Sequence, residues 1–379
     1  MGSVDQVISR RAVLRAVSAL AGTAVLAAIA PKLAHTRQWR KLELNFLLRT
    51  GGLRHVLRSK VQHGWTKPLA RPVLGGDLGT CFDACSIWDC DRYRMWFSWR
   101  PQKSIALVES LDGISWSRPV IVLRPRNTGW EDQINRPVVI KCNGLYYMWY
   151  TGQTESQSFV GRAVSPDGIS WTRDMKTPVI SPDLPWEVSA VMCPHVIYDE
   201  SEEIYKMWYS AGEQFEPMAI GYASSDDGIH WRKHGNGPVF GPGARGDFDQ
   251  DRVTACCVTR QAQWYVMFYA GFEDEADSAI GIARSSDGVT KWQRHPMNPI
   301  VVPGNHWKDW DLDSVYKPTV ILEDNRWMLW YNGRRASIEQ IGLAIHEGND
   351  LGFPELKSDL NGDIPTGKQK TSLACQLGR

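Results

Sequence analysis

The chain has 379 residues, 43% of them hydrophobic, and a formal net charge of +1 at pH 7. That composition suffices for one large core, and the near-neutral charge argues against a polyanion-binding surface and gives no support to a nucleic-acid partner. Its eight cysteines show no paired C-x-x-C spacing, which excludes a zinc-ribbon fold and leaves buried reduced thiols, or disulfides if the protein is exported.

In chain order, residues 1–35 carry Ser9-Arg10-Arg11-Ala12-Val13-Leu14-Arg15 followed by a weakly apolar run from Ala16 to Ala30. This pattern reads as a twin-arginine export signal, with a run too short for a confident membrane span. Ala28-Ile29-Ala30 offers small residues for cleavage, but Pro31 hinders it. The expectation is an exported protein, periplasmic or anchored on the outer face through its N-terminus. A cytoplasmic protein with an ordinary N-terminal helix is the alternative. Residues 36–61 read as a basic, helix-prone connector, residues 62–353 as one repeat domain, and 354–379 as a tail.

Five copies of one strand pattern fill the domain: Met95-Trp96-Phe97, Met148-Trp149-Tyr150, Met207-Trp208-Tyr209, Met267-Phe268-Tyr269 and Leu329-Trp330-Tyr331. The interval of roughly 60 residues fits a four-stranded propeller blade with long loops. Asp112-Gly113, Asp167-Gly168, Asp227-Gly228 and Asp287-Gly288 follow in the first four copies, a signal for type I′ hairpin turns with positive φ at both central residues. The fifth copy lacks its last strand. Trp171, Trp231 and Trp292 each precede a Pro and two apolar residues by seven positions, and Trp65 stands at that spacing from Pro72-Val73-Leu74. The pattern predicts an all-β, five-bladed propeller with a helical N-terminal extension, closed by an N-terminal strand near residue 65.

Residues common to all blades read as scaffold, and those that differ on the channel-lining strand read as candidates for function. At one register the five inner strands offer Asp83, Arg136, Cys193, Ala255 and Lys317. An acid and two bases on one axis suit either an ion-pair network or a polar ligand site. Trp99-Arg100, Gln153, Glu155, Glu213-Gln214, Glu273-Asp274-Glu275, Asn332, Arg334, Arg335 and Glu339-Gln340 belong to facing loops. Arg334 and Arg335 beside Lys317 would make one sector basic, which suits a carboxylated or phosphorylated sugar. The pairs Trp130-Glu131, Trp186-Glu187, Phe248-Asp249 and Trp310-Asp311 recur before each inner strand, a repetition that favours a structural role. Of the tryptophans outside the repeat, Trp99, Trp130, Trp186, Trp307 and Trp310 suit either sugar faces or rim packing.

The Trp-Tyr-Ser/Thr-Gly strands and the Ser-x-Asp-Gly-Ile-x-Trp repeat resemble those of the glycosidase-like five-bladed propellers, relatives of glycoside hydrolase families 43, 32 and 130. The resemblance covers about residues 62–353. In families 43 and 32 three acids on the first three inner strands act together, and Asp83 matches the first, as nucleophile or base. The second falls on Arg136 in Asn135-Arg136-Pro137 and the third on Met192 in Met192-Cys193-Pro194, so neither acid is at its position. Asp132 and Glu187, one turn earlier, are the candidates for the missing acid. Asn135, Arg136, His195, Lys317, Asn332, Arg334, Arg335 and Trp99 are the candidates for binding substrate. The resemblance implies a carbohydrate-active enzyme, a glycoside hydrolase or transglycosidase on a cell-envelope or extracellular glycan. A non-catalytic glycan-binding or polysaccharide-assembly propeller, or a phosphate- or uronate-dependent enzyme, is the alternative. It implies no cofactor beyond an axial calcium near His195, and the residues themselves show no metal-ligand spacing.

Overall fold

The computed structural model describes residues 64–126 and 129–355. Residues 64–349 belong to one compact unit and 350–355 to a second. The expected export signal, connector and helical extension, and residues 356–379 of the expected tail, lie outside the described residues. Among the described residues no helix is long and apolar enough to cross a membrane.

The first described strand is β1 (Trp65–Thr66). A first antiparallel meander follows: β2 (Cys81–Asp89), β3 (Arg92–Trp99), β4 (Ser104–Ser110) and β5 (Val120–Leu123). The second is β6 (Gln133–Cys142), β7 (Leu145–Gln153) and β8 (Ser158–Ser165), its outermost chain held to β8 by isolated bridges. The third is β9 (Ala190–Asp199), β10 (Ile204–Glu213), β11 (Glu216–Ser225) and β12 (Arg232–Lys233). The fourth is β13 (Arg252–Gln261), β14 (Trp264–Phe272), β15 (Ser278–Ser285) and β16 (Gln293–Arg294). The fifth is β17 (Ser314–Glu323), β18 (Arg326–Arg335) and β19 (Ile338–Glu347), and its fourth strand is β1, with Trp65 opposite His346.

The second strand of each meander is buried on both faces, which explains its unbroken run of large apolar residues rather than an alternating pattern. Trp96, Trp149, Trp208 and Trp330 are fully buried. Each indole reaches the next meander. Trp96, Trp149 and Trp208 donate to the carbonyls of Gly168, Gly228 and Gly288 at 3.0, 3.0 and 2.7 Å, and Trp330 donates to Gly113 at 2.9 Å. The fourth meander carries Phe268 instead, and the meander it faces has no Asp-Gly turn to receive an indole. Trp65 packs edge-on against Phe268 there, with ring centroids 5.9 Å apart.

The Asp-Gly turns differ from the expected type I′ geometry, because only the glycines have positive φ. In the first, Ser110 Oγ accepts the N–H of Gly113 while Asp112 Oδ1 accepts those of Ile114 and Ser115. The short polar side chains thus complete the turn and leave only glycine in the left-handed region.

The repeated acids are scaffold. Glu131, Glu187, Asp249 and Asp311 are buried, and each accepts a hydrogen bond from the tyrosine hydroxyl of its own second strand, Tyr150, Tyr209, Tyr269 and Tyr331, at 2.8 to 2.9 Å. Each also pairs with a cation two residues beyond the outer tryptophan: Arg173, Lys233, Arg294 and, for the fifth meander, Lys67. Trp130, Trp186 and Trp310 stack on the same tyrosines, at 6.1, 6.2 and 5.9 Å between centroids. Rim packing accounts for these three indoles. Glycine is required opposite them, since a Cβ on Gly161 would lie 2.4 Å from Trp130.

Candidate active site

The inner strands of four of the five meanders break their ladders at the same place. Register shifts fall between Phe82 and Cys85, Asn135 and Val138, Thr254 and Cys257, and Tyr316 and Thr319. The residues in these bulges, with their counterpart on β9, have left-handed φ: Asp83 55°, Arg136 55°, Cys193 49°, Ala255 50° and Lys317 51°. These are the five residues that share one register in the sequence. Such backbone is unfavourable for residues with a Cβ and persists only where neighbours hold it. Here the hold comes from the preceding meander. Ser98, Thr151 and Ser210 accept the N–H groups of Arg136, Cys193 and Ala255 at 2.9, 3.1 and 2.8 Å. Asn332, from the fifth meander, accepts that of Asp83 at 2.8 Å. Ala270 occupies the corresponding place before Lys317 and has no group to offer.

The bulges turn side chains toward a cavity of about 260 Å³ whose walls include Phe82, Asp83, Arg100, Arg136, Arg252, Tyr316, Arg334 and Glu339. That volume is near the lower end for small-ligand sites. Asp83 is 3% exposed, and its Oδ1 accepts a second hydrogen bond from Asn332, from Nδ2 at 2.8 Å. Its Oδ2 accepts none and lies 3.5 Å from Arg136 Nε. A buried carboxylate oxygen without a hydrogen bond is costly, and here the Arg136 charge alone offsets that cost.

Arg136 is steered by Asn135, whose Oδ1 accepts from its Nη1 at 2.6 Å. Burial opposes its charge, but the field of Cys193, Asp83, Glu339 and Tyr316 outweighs this and raises its pKa above the ordinary arginine value. Across the cavity, Glu339 pairs with Arg100 Nη2 at 2.7 Å and accepts a hydrogen bond from the Tyr316 hydroxyl. Burial, then the negative charges of Glu339 and Asp83, push the Tyr316 pKa well above that of a free phenol. Arg100 also covers the Phe82 ring and Arg252 the Phe272 ring, each at 4.5 Å. The arrangement offers one open carboxylate, one phenol coupled to a second carboxylate, and several guanidinium groups able to bind anions.

A family model described as the glycosyl hydrolases family 32 N-terminal domain matches residues 87–238. Among solved structures, one described as a glycoside hydrolase superposes with a TM-score of 0.62 at 19% identity, covering 79% of this chain and 97% of its own. This chain shares the propeller fold of these glycoside hydrolases. A thermostable family-43 glycoside hydrolase aligns with the propeller at a TM-score of 0.58 and 15% identity, covering 71% of this chain and 90% of its own. A structure from the family 130 mannoside phosphorylases and glycoside hydrolases gives 0.60 and 16%, covering 77% and 96%. Two uncharacterized proteins of Mycobacterium tuberculosis, MT1551 and Rv1502, are each 28% identical over 243 residues, 60% of this chain and 76% of theirs.

Of the residues singled out from sequence, the propeller places Asp83, Arg136 and Arg334 on the cavity, with Asn332 and Asn135 directly behind them. Glu187 is corrected: it is fully buried against Tyr209, Lys233 and the N–H groups of Asp183 and Leu184, and is not a cavity wall. Asp132 is corrected too, being solvent-exposed and away from the cavity. Trp99 donates its indole N–H to Leu78 at 2.9 Å, and Arg335 reaches the Lys308 carbonyl at 3.2 Å; neither lines the cavity. His195 is hydrogen-bonded to the Val258 carbonyl at 2.8 Å, and burial, with a smaller effect of Lys317, brings its pKa down to about 4. Lys317 is buried, is absent from the cavity walls and acts electrostatically on Cys85, Cys193, Cys256 and Cys257. Among the described residues no group of three or more His, Cys, Asp or Glu is placed to hold a metal, and the seven described cysteines are unpaired.

Arg252 and Tyr316 carry no signal at the bulge register, and Arg100 and Glu339 read from sequence only as loop charges. The signal for Tyr316 lies one residue before the bulge register. Phe82, Met192, Thr254 and Tyr316, each directly before a bulge residue, all line the cavity.

Proposed function

We propose that this propeller cleaves glycosidic bonds in a glycan bearing a carboxylate or phosphate, with Asp83 as the carboxylate beside the scissile bond. The observation that carries the reading is the bare Oδ2 of Asp83, presented to the cavity by a carboxylate fixed through Asn332. Glycoside cleavage needs such a group because leaving-oxygen protonation and cation-like charge at the anomeric carbon both develop in the transition state. Arg136 and Arg334, on the same cavity, would hold the anionic substituent, and Asn135 would fix Arg136. The five meanders are read as five blades around one axis, supported by the ties of the fifth meander to the first through Asn332–Asp83 and Trp330–Gly113. Export, and hence an envelope or extracellular glycan, is proposed from residues 9–30 alone.

The test is turnover of neutral and acidic glycosides by wild-type protein and Asp83→Asn, with and without added phosphate. Loss of at least about 100-fold in the variant is expected, the scale of an acid–base group. Turnover that requires phosphate would instead favour phosphorolysis, for which the arginines offer a phosphate site. Binding without turnover in both proteins would sink the enzyme reading in favour of a glycan-binding propeller, the reading that Arg136 and Met192 at the two family acid positions favour.

A further inference from the structure

Cleavage through a glycosyl-enzyme needs a nucleophile as well as a proton donor. Four carboxylates line the cavity, but Glu216 and Glu275 are exposed on its rim. The interior ones are Asp83 and Glu339, and they are held differently. Asp83 keeps one oxygen bare, whereas Glu339 is engaged by Arg100 and by the Tyr316 hydroxyl. A carboxylate already engaged by an arginine and a phenol is poorly placed to attack and well placed to take the proton of that phenol. The proton it faces is that of Tyr316. Tyr316 is also the cross-strand partner of Asn332, which holds Asp83, so the phenol and the open carboxylate are one residue apart through a rigid amide.

We propose that Tyr316, giving its proton to Glu339, is the nucleophile of this site, and that the substrate is a glycoside whose anomeric carbon itself bears a carboxylate, a 2-keto sugar acid. The inference rests on the glycosidase reading above. A carboxylate nucleophile would approach such a centre against the charge of the substrate's own carboxylate, whereas a neutral phenol avoids that repulsion until the bond forms. The raised pKa of Tyr316 keeps it protonated at rest, which makes an adjacent base necessary. The guanidinium groups supply the partner for the substrate carboxylate: Arg136 faces Asp83, Glu339 and Tyr316, and Arg334 has no acidic side chain paired to it among the described residues. In the first step the Tyr316 oxygen bonds to the anomeric carbon as its proton passes to Glu339. The bond to the leaving oxygen breaks, and that oxygen takes a proton from Asp83, which enters the step as the neutral acid once the substrate carboxylate has taken Arg136 from it. In the second, Asp83 takes a proton from water, the water oxygen replaces the Tyr316 oxygen on the anomeric carbon, and Glu339 returns the proton to Tyr316.

The probes are 4-methylumbelliferyl ketosides of N-acetylneuraminic acid and 3-deoxy-octulosonic acid, with the glucuronide and mannoside as controls, given to the full chain. The expected result is ketoside turnover that falls at least about 100-fold in both Tyr316→Phe and Glu339→Gln, the scale of a nucleophile–base pair. A 3-fluoro-2-keto-acid glycosyl fluoride should add its glycosyl mass to the wild-type peptide containing Tyr316, a readout independent of whether the variants fold. Labelling of Asp83 or Glu339 instead of Tyr316 overturns the proposal. Cleavage confined to the glucuronide or mannoside, lost in Asp83→Asn but kept in Tyr316→Phe, overturns it and leaves the glycosidase reading standing. No cleavage of any probe overturns both.

Discussion

Asp83 sits at a backbone angle that costs an L-residue about 1–3 kcal/mol, and Asn332 answers it twice, accepting the backbone N–H and donating to the side chain. Asn332→Ala removes both bonds at once and leaves a buried N–H and a buried carboxylate oxygen without partners. The expected cost is about 2–3 kcal/mol by urea unfolding, with a fall in turnover because Asp83 is no longer fixed. Ser98→Ala, which uncaps Arg136 alone, should cost about 1 kcal/mol. His195 gives a second prediction at this scale. Its pKa is about 4 in the folded protein against 6.5 for the free side chain, so the unfolded chain binds the extra proton between those values. Stability from this group is therefore full above pH 6.5 and lost as pH falls toward 4. Between pH 7 and pH 5 the loss is about 2 kcal/mol. Replacement by Gln should shrink that difference in the urea midpoint, and an unchanged difference would show that the histidine is not the group responsible.

At the scale of the element, one unit recurs: a buried acid, a tyrosine of the second strand and a cation of the outer chain. Its recurrence in four meanders makes Glu187 a strut. Glu187→Gln leaves Lys233 with the exposed Asp183 as its remaining carboxylate and weakens the acceptor for the Tyr209 hydroxyl, and should cost about 1–3 kcal/mol. Turnover per folded molecule should be unchanged; a specific loss of turnover in fully folded variant would return Glu187 to the catalytic candidates. The sequence shows the strand pattern, the spacing of Trp65 and the register of the five bulge residues, because period and composition record burial. It does not show which acids are captured. The position of Glu187 before the inner strand is visible, but the hydroxyl that claims it comes from Tyr209, two strands' width of chain away. The left-handed bulge is invisible for a related reason. Asp83, Arg136, Cys193, Ala255 and Lys317 share no chemistry, and only the hydroxyls and amide of the neighbouring meander reveal that one backbone shape unites them. Tyr316 is illegible at that register because the residue that lines the cavity stands one place before the bulge residue.

At the scale of the molecule, the chain is tied into a ring by interactions between its most distant segments. Trp330 reaches Gly113, Asn332 reaches Asp83, and the apolar cluster around Phe97 and Val108 includes Leu74, Met328 and Trp330. The last tie is β1. Trp65 is 2% exposed between Phe268 and His346, Lys67 neutralises Asp311, and Leu74 bridges to Ile341 as Ile180, Phe240 and Val301 bridge to Val160, Ile220 and Ile280. Each meander leans on the next, so loss of one tie exposes faces on both sides of the break rather than one edge. Trp65→Ala should cost about 3–5 kcal/mol, the range for a large aromatic removed from a core. Because the ring distributes that loss, the urea midpoints by tryptophan fluorescence and far-ultraviolet circular dichroism should fall together, in one transition. Separation of the two midpoints in the variant would mean that the fifth meander opens alone, and that β1 seals one sheet edge without holding the ring.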